Sequence, residues 1–208
     1  MELLKSRIIN DGVLLGTDLV KVDSFLNHQL DIGLLKALGK EIYCRFGHLG
    51  INKILTMEAS GIAIASVTSM YFDLAPVVYA KKTLCSTTGD AYYQTKVKSF
   101  IDGTCSTAVI SKCCLSARDR VLIIGDFLAH GEAAKGLADL VAQAGGTVCA
   151  ITAVIEKEFQ GGGEMLRDMG YFVDSLVIIE KIENGVISFK DTDECVCHEK
   201  QQYYNTPL

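Results

Sequence analysis

The stretch VLIIGDFLAHGEAAKG, residues 121–136, decides the fold class of this 208-residue chain. Four apolar residues typical of a strand buried on both faces precede Gly125 and Asp126, and an Ala-rich helical pattern begins at Glu132. Gly131 permits a tight turn before that helix. Backbone N–H groups and the helix dipole make such a turn a natural anion site. On this stretch alone, an ordinary strand-to-helix connection is the simpler interpretation.

Strands and helices alternate on both sides of this stretch. Residues 53–72 follow a strand–loop–helix pattern, residues 75–82 and 147–157 are strand-like, and helices are predicted over 132–144 and 163–169. The alternation predicts an α/β fold with a mostly parallel sheet covered on both faces. Ligands of such sheets bind at the carboxyl ends of the strands. Three polar loops, residues 58–61, 126–131 and 157–163, are expected there and favour a phosphorylated ligand.

The remaining segments are mixed. A helix is predicted over residues 2–9, strand-like residues fill 13–22, and a helix capped by Asp31 continues to about Phe46. Antiparallel strands are predicted at 91–100 and 107–115 around an Asp102-Gly103 turn, and a C-terminal hairpin at Asn184-Gly185.

Composition excludes several classes of protein. Lys and Arg number 20 against 25 Asp and Glu, and this net charge of -5 argues against a general nucleic-acid binder. No apolar run is long enough to span a membrane, and no secretory signal opens the chain. We therefore expect a soluble cytoplasmic protein. The eight cysteines form no pair of C-x-x-C motifs, so no protein-held metal site is predicted.

Several motifs carry a family resemblance. Residues 121–133 resemble the phosphoribosyl-diphosphate motif of type I phosphoribosyltransferases, in which an apolar strand leads to two acids, a short loop and a glycine. Four other segments resemble the purine site, diphosphate loop, flexible loop and hood of the xanthine phosphoribosyltransferases: LVKVDSFLNHQLD (19–31), EASGIAIA (58–65), PVVYAKK (76–82) and VIEKEFQGGGEMLRDMGY (154–171). The resemblance extends over residues 1–189.

The resemblance implies a type I phosphoribosyltransferase fold: a twisted, mostly parallel sheet flanked by helices, with a small hood. It implies one domain over residues 1–190, a hood built from about 1–30 and 157–190, and a C-terminal tail at 191–208. The implied reaction moves a phosphoribosyl group from phosphoribosyl diphosphate to xanthine, giving xanthosine monophosphate and diphosphate. Mg²⁺ carried by the substrate diphosphate is the implied cofactor, and a homodimer the implied assembly.

The matching positions imply roles for individual residues. Asp126 would hold the ribose hydroxyls, and Lys82 or its neighbour Lys81 would offer charge to the diphosphate. The residues implied for the diphosphate are Glu58, Ala59, Ser60 and Gly61. The residues implied for the 5′-phosphate are Ala129, His130, Gly131, Glu132 and Ala133. The residues implied for the purine are Val20, Asn27, Lys157 and Phe159, with Lys157 at the exocyclic oxygen and Phe159 stacked on the ring.

The chain departs from the family pattern at several of these positions. Gly125 replaces the first of the two acids, His130 a common asparagine, Val20 a leucine, and Ala129 the catalytic acid of some related transferases. Gly125 leaves two alternatives open: a regulatory paralogue that binds nucleotide or phosphoribosyl diphosphate without transfer, or an enzyme that cleaves purine nucleotides or nucleosides on the same fold.

Overall fold

The computed structural model describes residues 1–16, 18–82, 91–98 and 105–191. The helices are α1 (Glu2–Asp11), α2 (Ile32–Phe46), α3 (Ser60–Ser69), α4 (Glu132–Gln143) and α5 (Gly162–Asp168). The strands are β1 (Val13–Leu15), β2 (Leu19–Lys21), β3 (Lys53–Met57), β4 (Val77–Ala80), β5 (Tyr92–Lys98), β6 (Cys105–Ser111), β7 (Arg120–Leu128), β8 (Thr147–Lys157), β9 (Val177–Glu183) and β10 (Val186–Phe189).

The predicted sheet is confirmed. Six strands lie in the order β10-β9-β8-β7-β3-β4, and every pair is parallel except β10 with β9. The apolar run of β7 alternates between two hydrophobic layers. Leu122 and Ile124 pack with α1, α2 and α3, whereas Val121 and Ile123 pack with α4 and α5. Because both faces are covered, β7 has to be apolar on both sides.

Both predicted antiparallel strand pairs are present, but the second strand of the first pair ends at Ser111 and not at Leu115, because residues Lys112–Cys114 form a 3-10 turn. β5 and β6 pair antiparallel in a small separate sheet, although Asp102 and Gly103 lie outside the described residues. Asn184 and Gly185 join β9 to β10 with positive φ values of 51° and 78°, the conformation that a tight two-residue hairpin turn requires.

Local details differ from the sequence-based expectations in two places, at residues 13–22 and at the end of β7. The strand-like residues 13–22 form the short hairpin β1–β2, because Gly16 turns the chain with φ 65°. The adjoining residues Asp23–Asn27 form one π-helical turn. Strand β7 continues to Leu128 because Phe127 and Leu128 still pair with β8, so Gly125 and Asp126 lie inside the strand and not in the loop after it. Across the described residues, no helix is long and apolar enough to cross a membrane.

A partly buried ion pair connects β3 to the start of β7. Lys53 Nζ lies 2.8 Å from Asp119 Oδ2, and the Ser116 amide donates to the same oxygen at 2.7 Å. Burial by itself raises the pKa of Asp119, but the hydrogen bonds and charge of these partners outweigh it and hold the pKa below its ordinary value.

Asp119→Asn is expected to lower the free energy of unfolding by about 2 kcal/mol at neutral pH, because a charge-assisted hydrogen bond is lost. The depressed folded-state pKa makes this contribution fully present above the ordinary value of 3.8 and lost as the pH falls through the folded pKa. Urea unfolding across this range should show the gap between variant and wild type closing in acid. Asp168→Asn, which changes an exposed carboxylate on α5, is the control and should leave unfolding nearly unchanged.

Candidate active site

A cleft of about 290 Å³ opens at the carboxyl ends of β3 and β7. The sequence predicts its polar loops at this same edge of the sheet. Ten of the sequence-predicted site residues line this cleft together: Glu58, Ser60, Gly61, Lys82, Asp126, Ala129, His130, Gly131, Glu132 and Ala133.

The loop from β3 to α3 forms one wall. Glu58 accepts a hydrogen bond from the Lys82 backbone amide at 2.7 Å, which fixes the loop to the end of β4. The Glu58–Ala59 peptide is cis, and α3 begins at Ser60 without a side-chain cap. The first backbone N–H groups of a helix have no partner within it, so this helix start is suited to bind the oxygens of an anion.

Gly61 is required beneath this loop. A Cβ there would lie 1.9 Å from Thr56 Oγ1, whose hydroxyl donates to the Ile124 carbonyl at 2.7 Å in the interior. The contact keeps α3 close to β3 and β7 and so sets the depth of the cleft.

The loop from β7 to α4 forms the opposite wall. Gly131 adopts φ 81° and turns the chain into α4, which also begins without a side-chain cap. A second set of helix N–H groups therefore opens on the same cleft. Two helix starts on adjacent strands suit a ligand with two separate phosphate groups.

Asp126 and Gly125 lie between these walls. The Asp126 side chain is half-buried and lines the cleft. A Cβ on Gly125 would lie 3.4 Å from the Phe127 carbonyl oxygen and 4.0 Å from Ala153 Cβ, both ordinary contacts. The backbone at Gly125 therefore has room for a side chain, and glycine is not dictated there by packing.

Lys157 lies at the end of β8, next to the cleft. Its side chain is buried, and Nζ donates to the Asp18 carbonyl at 2.7 Å and lies 5.5 Å from the centroid of the Phe127 ring. Burial lowers the pKa of Lys157, with Asp18 opposing the shift. Because Phe127 itself lines the cleft, the ammonium group adjoins the same site.

The other predicted purine residues lie outside the cleft lining. Val20 is buried in β2, Asn27 is exposed in the π-helical turn, and Phe159 is 42% exposed in a turn over Glu158–Gln160. Lys81 and Ala59 are exposed and lie outside the cleft lining, and the Lys81 backbone pairs with Val109.

The sequence interpretation missed an ion pair between the partly exposed Arg167 and the buried Glu156, the residue before Lys157. Arg167 Nη1 donates to Glu156 Oε1 and Nη2 donates to Oε2, each at 3.0 Å, and Glu156 is 1% exposed. The pair joins α5 to the carboxyl end of β8 and fixes the residue next to Lys157. Sequence offers no signal for it, because the two residues lie eleven positions apart in segments of different structure.

The third predicted loop, residues 157–163, is joined directly to the loop from β7 to α4, residues 129–131. We call residues 129–131 the phosphate-side loop. The Gly162 amide donates to the Ala129 carbonyl at 3.0 Å, and His130 Nδ1 lies 3.2 Å from the Gln160 carbonyl oxygen. A Cβ on Gly162 would lie 2.3 Å from the Ala129 oxygen and 2.4 Å from the Gly131 nitrogen. Only glycine allows α5 to approach the loop this closely.

Three further cleft residues come from the β5–β6 hairpin: Val97, Lys98 and Ser106. Lys98 and Ser106 line the cleft and add a cation and a hydroxyl near the helix starts. Among the described residues, no group of three or more His, Cys, Asp and Glu side chains is arranged to hold a metal ion. The carboxylates available in the cleft are those of Glu58, Asp126 and Glu132.

Comparisons with known proteins identify the family. No family model matches the chain. The xanthine phosphoribosyltransferase of Ruminiclostridium cellulolyticum is 49% identical over 191 residues, covering 92% of this chain and all of that protein. The xanthine phosphoribosyltransferase of Clostridioides difficile is 43% identical over 91% of this chain and all of its own length.

Solved structures support the fold. The adenine phosphoribosyltransferase of Rhodothermus marinus superposes with a TM-score of 0.68 at 22% identity, covering 86% of this chain and 97% of its own. The APRTase of Giardia lamblia complexed with 9-deazaadenine superposes with a TM-score of 0.69 at 16% identity, covering 84% and 97%. The predicted type I phosphoribosyltransferase fold is thus confirmed, and the chain belongs to the xanthine phosphoribosyltransferase family.

Proposed function

We propose that this protein transfers the phosphoribosyl group of phosphoribosyl diphosphate to xanthine and releases diphosphate, a purine-salvage reaction. The observation that carries the proposal is the pair of uncapped helix starts, α3 and α4, that open on one cleft from adjacent parallel strands. One helix start suits the diphosphate and the other the 5′-phosphate, and the ribose would lie between them.

The cleft residues supply the electrostatics that the reaction needs. Charge develops on the departing diphosphate, and Lys82 with the backbone N–H groups at Ala59–Gly61 would stabilise it. The ribose gains oxocarbenium character, and the Asp126 carboxylate would hold its hydroxyls and offset that charge. Lys81, the alternative lysine, lies outside the cleft lining, so Lys82 is the lysine proposed for this role. The loop over residues 129–133 would bind the 5′-phosphate.

Mg²⁺ fits this donor set as a companion of the substrate. The described side chains offer no cage of three or more ligands, whereas Asp126 and Glu58 offer isolated carboxylates beside the expected diphosphate. Mg²⁺ usually binds through one or two carboxylates together with substrate phosphates. When bound, Mg²⁺ would neutralise part of the negative charge on the diphosphate oxygens.

The purine would bind beside the cleft, under the N-terminal hairpin. The Lys157 ammonium has three N–H donors, and one is directed to the Asp18 carbonyl, so the others can serve the 6-oxo oxygen of the purine. Phe159 would stack on the ring, and Val20 and Asn27 would close the site. The hydrogen bond from Lys157 to Asp18 joins the two predicted pieces of the hood, residues 1–30 and 157–190. We also propose that residues 1–30 and 157–190 form the hood and that the protein works as a homodimer in the cytoplasm.

Lys157→Met is expected to raise KM for the purine at least tenfold, as a charge-assisted hydrogen bond worth about 1.5–3 kcal/mol is removed. At neutral pH the free energy of unfolding should change by less than about 1 kcal/mol, because the variant also removes the cost of burying a charge. The pKa of Lys157 in the folded protein lies below its ordinary value of 10.5. The cost of burying the charged ammonium group is therefore present at neutral pH and is relieved as the pH rises through the folded-state pKa.

Initial rates at varied purine concentration and urea unfolding at neutral and alkaline pH measure the two effects separately. Lys181→Met, at an exposed position on β9, is the matched control and should leave KM unchanged. An unchanged KM in Lys157→Met would remove the lysine from the purine site.

Product analysis tests the function itself. The purified protein is mixed with phosphoribosyl diphosphate, Mg²⁺ and each of xanthine, guanine and hypoxanthine, and the nucleotides are separated. Xanthosine monophosphate as the main product supports the proposal. Binding of phosphoribosyl diphosphate without any nucleotide product would favour the regulatory alternative, and release of a free purine from added xanthosine monophosphate in the absence of diphosphate would favour the cleaving enzyme.

A further inference from the structure

Two adjacent cysteines lie far from the cleft. Cys113 and Cys114 occupy a single 3-10 turn, Lys112–Cys114, that follows β6 and leads to β7. Their sulfur atoms are 3.8 Å apart, and both are free thiols. We call them the vicinal thiol pair.

The backbone of this turn is held at both ends. The Lys112 amide donates to the Ala91 carbonyl at 2.9 Å, and Lys53 Nζ donates to the Cys114 carbonyl at 2.8 Å. Lys53 begins β3, whereas the cleft lies beyond the opposite end of that strand. The vicinal thiol pair is therefore fixed on the edge of the sheet away from the proposed active site.

The two thiols have different surroundings. Cys113 is exposed, its sulfur lies 3.1 Å from Ser111 Oγ, and hydrogen bonds from Ser111 and Cys114 lower its pKa. Cys114 is half-buried, and burial raises its pKa. An exposed sulfur with hydrogen-bond partners, 3.8 Å from a half-buried one, provides an attacking thiol and a resolving thiol within reach of each other.

We propose that Cys113 and Cys114 form a reversible redox site that peroxides oxidise to a vicinal disulfide. The Cys113 thiolate attacks one peroxide oxygen, the O–O bond breaks, and Cys113 becomes a sulfenic acid while hydroxide leaves and takes up a proton. The Cys114 sulfur, on losing its proton, attacks the Cys113 sulfur and releases the sulfenic oxygen as water. Two thiols and one hydrogen peroxide thus give one disulfide and two water molecules.

The position of the pair makes the product easy to reduce. Neighbouring Cα atoms across a trans peptide are about 3.8 Å apart, shorter than the separation of about 4.4–6.8 Å that unstrained disulfides adopt. Strained, exposed disulfides have higher reduction potentials and react readily with cellular thiols. The site is therefore suited to switching and not to permanent cross-linking.

The test oxidises the full chain and then analyses one tryptic peptide from it. Trypsin cleaves after Lys112 and Arg118 and releases CCLSAR, residues 113–118, which contains both thiols. After brief treatment with stoichiometric hydrogen peroxide, followed by alkylation, most of this peptide is expected to be two hydrogen atoms lighter and unalkylated. Dithiothreitol added before alkylation should restore the doubly alkylated form.

Single variants separate the two steps. Cys114→Ser should stop at the sulfenic acid of Cys113, which dimedone traps, and Cys113→Ser should lose both products. Cys149→Ser, which removes a half-buried thiol elsewhere, is the matched control and should oxidise at residues 113–118 as the wild type does. A disulfide between two chains through Cys113, or a Cys113 sulfinic acid beside an unmodified Cys114, would overturn the proposal.

Discussion

Replacing Gly162 by alanine is expected to lower kcat/KM about a hundredfold, because a misplacement of roughly 1 Å in a positioning element can have that effect. The added methyl would lie 2.3–2.5 Å from three backbone atoms of the phosphate-side loop, in Ala129, His130 and Gly131. Backbone atoms cannot rotate away as the end of a side chain can. Either the loop or the first turn of α5 has to move, and both border the proposed ligand sites.

The kinetic pattern distinguishes this displacement from general unfolding. Steady-state rates should show a raised KM for phosphoribosyl diphosphate and a lowered kcat, while circular dichroism and the cooperativity of urea unfolding are retained. Gly33→Ala is the matched control, since Gly33 also lies in the first turn of a helix and its methyl would meet only the Asp31 carboxylate, at 3.3 Å. Wild-type kinetics in a folded Gly162→Ala protein would show that the contact does not position the loop.

Sequence predicts the loop after β3 and the phosphate-side loop well, because consecutive residues specify each of them. At residues 58–61 and 129–133, an apolar strand is followed by a glycine and a helix start. The local sequence is therefore enough to specify the geometry of each loop. The run EASGIAIA is thus sufficient to expect a loop and helix, and the structure begins α3 at Ser60.

The parts of the site that depend on distant contacts could not be predicted in this way. Glu156 and Arg167 meet only because α5 folds back on β8. Lys98 and Ser106 reach the cleft only because the β5–β6 hairpin packs beside α4. The sequence displays three successive glycines at 161–163, but it does not tell which one the loop contacts.

Contacts with a distant segment of the chain also explain why β7 extends to Leu128. A Gly-Asp pair usually signals a turn, and residues 126–131 are predicted as a loop on that basis. In the fold, Gly125 pairs with Ala153 and Phe127 with Ile155, so hydrogen bonding to β8 overrides the local preference. As a consequence, Asp126 is held by a strand, which positions its carboxylate more rigidly than a loop would.

Gly125→Asp is expected to raise kcat/KM for xanthine about tenfold to a hundredfold. The variant restores the first of the two family acids, and a hydrogen bond between a carboxylate and a ribose hydroxyl contributes about 1.5–3 kcal/mol. The fold should accept the change, because the nearest atoms to the new Cβ are at 3.4 Å and 4.0 Å. The new side chain would begin inside the cleft, one residue before Asp126.

The companion variants distinguish charge from shape. Gly125→Asn has nearly the same volume but no charge, so its gain should be much smaller than that of the aspartate. Asp126→Asn should depress the wild-type rate, and Gly125→Asp in that background should recover only part of it if the two carboxylates bind different hydroxyls. Steady-state rates at saturating phosphoribosyl diphosphate are measured for the wild type and all four variants. A fall in activity in Gly125→Asp would instead mean that a second carboxylate repels the diphosphate here, and that Asp126 alone is the arrangement this cleft requires.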